Sequence, residues 1–302
     1  MSETVSPSAD RAYGLARVCR VWGVPRSTVY ARRHQQPASE QRRPGPCGPA
    51  TDAELAEIIR QVIATAPFHG EGHRKIHMRL RHQGVRTSRR RVRRIMREHG
   101  LRSPDRPTPR PANDHDGTIT TQHVDTRWGT DMTQTTLTTG AKAQVFLAVD
   151  HANTECVGIH AAFSGNRWEA LEPVRQGVRR HFGPAAPNIA AGLTLRHDHG
   201  SNYMADDFQR EIRFLGITPS PSFVREPEGN GVAERFIRTL KEQLLWLESF
   251  DTLEDLQDAL KAFRDWFNSQ WLLQRHGHRT PDQVRAQQTA DTMADEPLPM
   301  AA

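Results

Sequence analysis

Three acids and a lysine stand where metal-assisted phosphate chemistry would need them. Asp131 lies inside the strand-like run 130–137, Asp198 ends the run 193–198 just before His199-Gly200, and Glu234 follows after 35 intervening residues. Hard divalent cations take oxygen ligands and keep open positions for a substrate phosphate. With two such ions, one activates the attacking oxygen and the other stabilises the departing one. Carboxylates from two strands and a helix suit two Mg²⁺ or Mn²⁺ ions, so Asp131, Asp198 and Glu234 are the candidate catalytic and metal-binding residues. Glu234 also has a plainer explanation, since an acid in a first helical turn is favoured by the helix dipole.

The elements that must position these acids are legible. A helix is expected from Gly231 to about Glu248, entered through the flexible Glu228-Gly-Asn-Gly231. At about 100° per residue, Val232, Phe236, Leu240 and Leu244 share one face, and Glu234 and Lys241 fall within about 20° of each other on the opposite face. Strands are expected over 130–137, 144–149 and 155–161, the first two joined by a Thr138-Thr139-Gly140 turn. A helix over 167–181, a strand over 193–198, a helix over 205–215 and a short strand over 216–220 follow. Three meander strands and then alternating helix and strand predict a mixed α/β sheet. Asp150, at the end of the second strand, could lie near these acids but reads rather as a turn residue. His197 and His199 flank Asp198 and point away from it by strand alternation, which suits positioning of DNA or of the loop.

Ahead of this region prolines mark joints at Pro37, Pro44, Pro46 and Pro49, and again at Pro104, Pro107, Pro109 and Pro111. The segments are 10–36, 50–103 and 118–286, with a polar tail over 287–302. In the first, Leu15, Val18 and Cys19 recur at helical spacing, Gly23 turns the chain and Pro25 opens a second short helix. Arg26, Ser27 and Thr28 would begin that helix, where a recognition helix touches DNA, although plain bundles use the same arrangement. In the second segment Leu55, Ile58, Ile59, Val62 and Ile63 form an amphipathic stripe, and a helix is expected over 73–82. A further helix is capped by Thr87 or Ser88, buries Val92, Ile95 and Met96, and ends at Gly100. Seven arginines lie between Arg86 and Arg97. Such crowding is relieved by an anion, so Arg89, Arg90, Arg93, Arg94 and Arg97 are candidate phosphate contacts. His69, His73 and His77 recur every fourth residue with no carboxylate or cysteine set beside them, and read as polar surface histidines.

The charge is split along the chain. Residues 1–112 hold 23 Lys and Arg against 9 Asp and Glu, and the remainder 18 against 26, within a net charge of +6. The front is suited to a polyanion and the back carries carboxylates that need a cation; an Arg-rich genome would explain the total but explains the asymmetry poorly. The apolar run 145–149 is far short of a bilayer span. Neither a signal sequence nor a cysteine ligand pair is evident, so a cytoplasmic, nucleoid-associated protein is expected.

Trp128-Gly-Thr-Asp131, Arg196-His-Asp-His-Gly-Ser-Asn-Tyr203 and Gly229-Asn-Gly-Val-Ala-Glu-Arg-Phe-Ile-Arg-Thr-Leu-Lys241 resemble the three signatures of the retroviral-integrase-like DDE core, as found in transposases of the insertion-sequence-three family. His69-Gly-Glu-Gly-His-Arg-Lys-Ile-His77 with Val92–Leu101 is similar to the helical module preceding that core, and Gly277-His-Arg-Thr-Pro281 to its closing motif. The resemblance implies an RNase H-like mixed sheet preceded by two small all-α helix-turn-helix-type modules. It implies Asp131, Asp198 and Glu234 as the triad, with Asp131 bridging both metals, and Lys241 as a DNA contact, to which Arg238 on the same helix is added. The implied activity is cutting of element ends and joining of the freed 3′-OH to target DNA. The implied partners are double-stranded DNA and further copies of the chain, as a homo-oligomer on that DNA. Family members are commonly made as a frameshift fusion whose upstream half carries a leucine zipper. No zipper is present here, so such an upstream partner is expected. The rivals are an RNase H-like nuclease that stops at hydrolysis and a DNA-binding repressor with a decayed core; two DNA-binding modules speak against the first, and an intact triad with Lys241 against the second.

Overall fold

A computed structural model describes residues 3–33, 50–104, 121–222 and 230–295. Both proline-rich linkers fall almost wholly outside these residues, as do residues 228 and 229 of the expected hinge. The chain divides into two units, residues 1–49 and 50–302.

In the first unit, α1 (Leu15–Val21) leads through Gly23, at φ +63°, into α2 (Arg26–Arg33). Pro25 precedes α2 and its carbonyl accepts the Thr28 N–H at 3.1 Å, so the missing proline N–H costs nothing there. Arg26, Ser27 and Thr28 open α2 and are exposed.

The second unit begins with three helices. In α3 (Asp52–Thr65), Thr51 and Glu54 form a reciprocal capping box. Then come α4 (His73–His82) and α5 (Arg89–Glu98), the latter capped by the Ser88 hydroxyl, which accepts the Arg91 N–H at 3.2 Å. Leu55, Ile59 and Val62 of α3, Ile76 and Leu80 of α4, and Val92, Ile95 and Met96 of α5 close a small apolar core.

The sheet follows: β1 (Arg127–Thr136), β2 (Lys142–Asp150), β3 (Cys156–Ala162), β4 (Thr194–His197) and β5 (Thr218–Pro221), in the order β3-β2-β1-β4-β5. The first three are antiparallel neighbours, and β4 pairs parallel with both β1 and β5. Side chains alternate across β2: Val145, Leu147 and Val149 face one apolar cluster, and Phe146 and Ala148 face the other. Burial on both faces explains the unbroken apolar run. One face is covered by α6 (Arg167–His181), α7 (Ser201–Met204) and α8 (Asp206–Phe214), the other by α9 (Gly231–Leu240) and α10 (Leu253–Gln270). α6 lies so close to β3 that a Cβ on Gly158 would come within 2.0 Å of the Pro173 carbonyl oxygen. This is the RNase H-like mixed α/β architecture with helical modules ahead of it.

Three features differ from the sequence expectation. The helix expected to run to Glu248 is α-helical only to Leu240. A π-helical turn, Lys241–Leu245, replaces its end, closed by the Trp246 N–H donating to the Lys241 carbonyl at 3.0 Å. The wider turn puts the adjacent Leu244 and Leu245 both into the core. α10 was not anticipated. The expected polar tail from 287 is, as far as Asp295, the end of α11 (Pro281–Asp295), because Gln288 accepts the Val124 N–H at 2.9 Å and donates to the Gln122 carbonyl at 2.8 Å. No helix among the described residues is long and apolar enough to cross a membrane.

Candidate active site

The parallel β1–β4 ladder sets the site. Gly129 is level with Arg196, so two residues further along each strand Asp131 comes level with Asp198, which leaves β4 at its carboxyl end. One Asp198 oxygen, Oδ1, accepts the Gly200 N–H at 2.8 Å and holds the loop that follows.

Glu234 is brought in by the start of α9. Asn230, immediately before the helix, is buried and donates from Nδ2 to the Thr130 carbonyl at 3.0 Å, tying the helix start to the residue before Asp131. Gly129 makes room for this approach: a Cβ there would stand 2.6 Å from Asn230 Oδ1 and 2.7 Å from His151 Nε2. Gly129 in one motif and Asn230 in another thus form a single contact. Neither was singled out from sequence, though both stand inside the quoted motifs.

The electrostatics tie the acids together. Burial pushes the Asp131 carboxyl up to about 6, its own Met132 N–H (2.7 Å) pulls it down, the charges of Asp198 and Glu234 push it up again, and Lys241 pulls it down. Glu234 is also raised, by desolvation. Tyr203, buried beneath the site, has its phenol raised by burial and by the charges of Asp131 and Asp198.

Three carboxylates with a lysine as counter-charge form a donor set of hard oxygens, and a divalent cation would relieve their mutual repulsion. Among the described residues no group of three or more His, Cys, Asp and Glu side chains is arranged so that it could hold a metal ion. The residues fit a hard cation by chemistry and charge.

The neighbours of the triad have other partners. His197 is buried, donates from Nδ1 to the Asp198 carbonyl at 2.7 Å and stacks on Tyr203; His199 Nε2 donates to the Ser222 carbonyl at 2.6 Å. Asp150 pairs with Trp128 across the β1–β2 ladder, three register positions and about 10 Å from the pairing of Asp131 with Leu147. It accepts the Ala152 N–H in the turn after β2 and the Asp125 N–H just ahead of β1, each at 2.6 Å.

On α5, Arg89, Arg90, Arg93 and Arg97 are exposed, with no ion pair among the described residues. Arg94 differs from expectation: it bridges Asp52 at 2.5 Å and Glu98 at 2.7 Å, while Arg91 holds Asp52 and the Ala50 carbonyl. Arg91 and Arg94 therefore tie α5 to the start of α3. Arg238 pairs with Glu242 at 2.8 Å on the exposed side of α9, and Lys241 begins the π turn. His77 Nε2 donates to the Thr87 carbonyl at 3.1 Å.

Each phosphate neutralised contributes about 0.9 to the slope of log affinity against log salt. Replacing Arg90, Arg93 and Arg97 with Ala should flatten that slope by up to about 2.7 and weaken binding to all duplexes alike. Arg94→Ala should leave the slope unchanged and lower stability instead. An unaltered slope in the triple variant would place this helix face in solvent.

Residues 50–108 match the HTH-like domain family and residues 215–281 the integrase core domain family. The transposase InsD for insertion element IS2A/D/F/H/I/K of Escherichia coli is 26% identical over 255 residues, covering 81% of this chain and 82% of the relative. InsD for insertion element IS2-9 of Escherichia coli strain K12 is also 26% identical, with 81% and 80% covered. Among solved structures, the simian T-cell lymphotropic virus intasome in complex with PP2A regulatory subunit B56 gamma covers 83% of this chain and 78% of its own, with 16% identity and a TM-score of 0.47. The HTLV-2 integrase catalytic core domain in complex with magnesium covers 56% of this chain and 99% of its own, with 16% identity and a TM-score of 0.40. The two family matches place an HTH-like domain ahead of an integrase core domain. Over about four fifths of its length the chain is similar to insertion-element transposases.

Proposed function

We propose that this transposase cuts the ends of its own element and joins the freed 3′-OH to target DNA, with Asp131, Asp198 and Glu234 holding two Mg²⁺ or Mn²⁺ ions. Asp131, Asp198 and Glu234 are the residues that would hold the ions. The ions supply activation of the attacking oxygen and stabilisation of the departing one. Lys241 and Arg238 lie on the same helix as Glu234 and hold the phosphates flanking the reacting bond. A phosphodiester is exchanged for a phosphodiester, so the reaction draws on no nucleotide energy. Arg26, Ser27 and Thr28 read the element end, and Arg89, Arg90, Arg93 and Arg97 grip its backbone, with several copies of the chain assembling on DNA.

The observation that carries this reading is the parallel β1–β4 register that brings Asp131 level with Asp198, with Asn230 tying the start of the Glu234 helix to the Thr130 carbonyl. Incubating the purified protein with labelled duplexes from the DNA flanking its own gene, with Mg²⁺ or Mn²⁺, tests it. Joined products are expected. Cut products without joining favour a nuclease, and binding without cutting favours a repressor.

A further inference from the structure

The motif His69-Gly-Glu-Gly-His-Arg-Lys lies in the HTH-like module, yet its side chains and those around it point at the catalytic core. Phe68 is 3% exposed and belongs to the core's apolar cluster, meeting Phe263 edge-on at 6.3 Å and Trp271 at 4.8 Å between ring centroids. The His69 backbone is matched on both sides by one side chain: its N–H donates to Gln243 Oε1 at 2.7 Å, and Gln243 Nε2 donates to its carbonyl at 3.1 Å. Glu71 is buried and receives a two-pronged bond from Arg79, whose Nη2 also reaches the Gln270 carbonyl. The Lys75 ammonium sits over the Trp271 ring, 2.9 Å from its centroid, and Arg74 donates to Gln274 at 2.9 Å.

Helix α4 serves two cores at once. Ile76 and Leu80, four apart, are buried with α5. Lys75 and Arg79, also four apart and rotated about 100° from them, face the catalytic side. Packing is dense on both faces, so α5 cannot shift without moving α4. The far end of the joint, Gln243, lies in the π turn two residues past Lys241, on the continuation of the helix that carries Glu234.

We infer that the segment Phe68–Arg79 is a rigid joint fixing the arginine helix at a set distance from the triad, and that Gln243 is the positioning residue that sets which phosphodiester is cut. The DNA grip and the cutting site then act as one body. The inference rests on the proposed end-cutting reaction for its consequence, and on the hydrogen bonds above for its mechanism.

The test uses the full chain with Gln243→Ala and Gln243→Glu, the latter keeping the acceptor for the His69 N–H and losing the donor to its carbonyl. Gln243→Ala should bind end-sequence duplexes in EDTA as the wild type does. With Mg²⁺ it should cut them about tenfold more slowly or worse, and at scattered positions, because small displacements of a reacting centre cost that much. Gln243→Glu should restore a single cut position. Wild-type rate and cut position in Gln243→Ala would overturn the joint's role. Amide exchange reads the joint without DNA: the His69 N–H should be slow in the wild type, fast in Gln243→Ala and slow again in Gln243→Glu. A freely exchanging His69 amide in the wild type overturns the inference even if no DNA is ever cut, whereas a protected amide with no cutting discards only the proposed reaction.

Discussion

Asp198→Asn is expected to lower end cutting and strand joining together by on the order of 10³-fold or more, the scale seen when one member of a catalytic unit is lost. The change keeps the size of the side chain and an oxygen for the Gly200 N–H, but removes the charge that would hold a divalent ion. DNA binding in EDTA should therefore persist. Glu234→Gln should behave alike, because two-metal chemistry loses its clamp when either position empties. Lys241→Ala should instead weaken DNA binding while metal binding by the free protein is retained. Asp150→Asn is the internal control. It loses one of its two backbone hydrogen bonds, about 1 kcal/mol of stability, and should keep most activity, since it lies three register positions from Asp131 and both its oxygens are taken by the Asp125 and Ala152 N–H groups. Gel assays of cut and joined products decide the matter: normal cutting by Asp198→Asn, or an Asp150→Asn as inactive as the triad variants, means that the carboxylates have been misassigned.

Arg285→Met should be the most damaging single change to stability. Arg285 of α11 donates to Asp125 at 2.6 and 3.0 Å and to Glu155, and lies 3.9 Å from Asp150. Glu155 is 1% exposed and is also met by His181 at 3.1 Å and Asn153 at 3.2 Å. Burial alone would push the Glu155 carboxyl up, but His181 and Arg285 outweigh it and hold it at about 2. Removing the guanidinium leaves two carboxylates short of a partner in a poorly solvated place, at a cost of about 3–5 kcal/mol. The pH dependence has a definite sign. A carboxyl held below its ordinary value of 4.5 stabilises the fold fully above that pH and loses its contribution as pH falls toward 2. In Arg285→Met the Glu155 carboxyl rises, so acid unfolding should begin at higher pH. Denaturant melts at neutral pH and an acid titration measure both effects. A variant within about 1 kcal/mol of the wild type would show that the buried carboxylates find other partners.

This network gives the closing motif its function. Arg275 donates to the His151 and Ala152 carbonyls, His276 to the Ala152 carbonyl, and the Asn153 amide to the Pro281 carbonyl. The segment around Gly277–Pro281 thereby locks the turn between β2 and β3 to α11, and that turn carries the His151 ring that a Cβ on Gly129 would meet.

Local chemistry alone determined a good part of this molecule. Caps at Thr51 and Ser88, the turn at Gly100, the strand alternation through Val145–Val149 and the phase of Val232, Phe236, Leu240 and Leu244 each depend on residues a few positions apart. The acids Asp131, Asp198 and Glu234 were marked by the resemblance of the three motifs around them to the integrase-like core, since the spacing of three acids among 35 says little by itself. Long-range contacts decided the rest. The polar sequence of α11 has no apolar stripe to announce it, and is held by Arg285 and Gln288 reaching residues far back in the chain. Arg94 looked like its arginine neighbours until Asp52, 42 residues away, claimed it. Only the parallel β1–β4 register brings Asp131 level with Asp198, and only the fit of Asn230 against Gly129 brings Glu234 to them. The HTH-like module's motif could not disclose from sequence that it faces the core, because its partners Gln243, Trp271 and Gln274 lie between 170 and 200 residues downstream, and a charged side chain looks the same in sequence whether it meets phosphate or an aromatic ring.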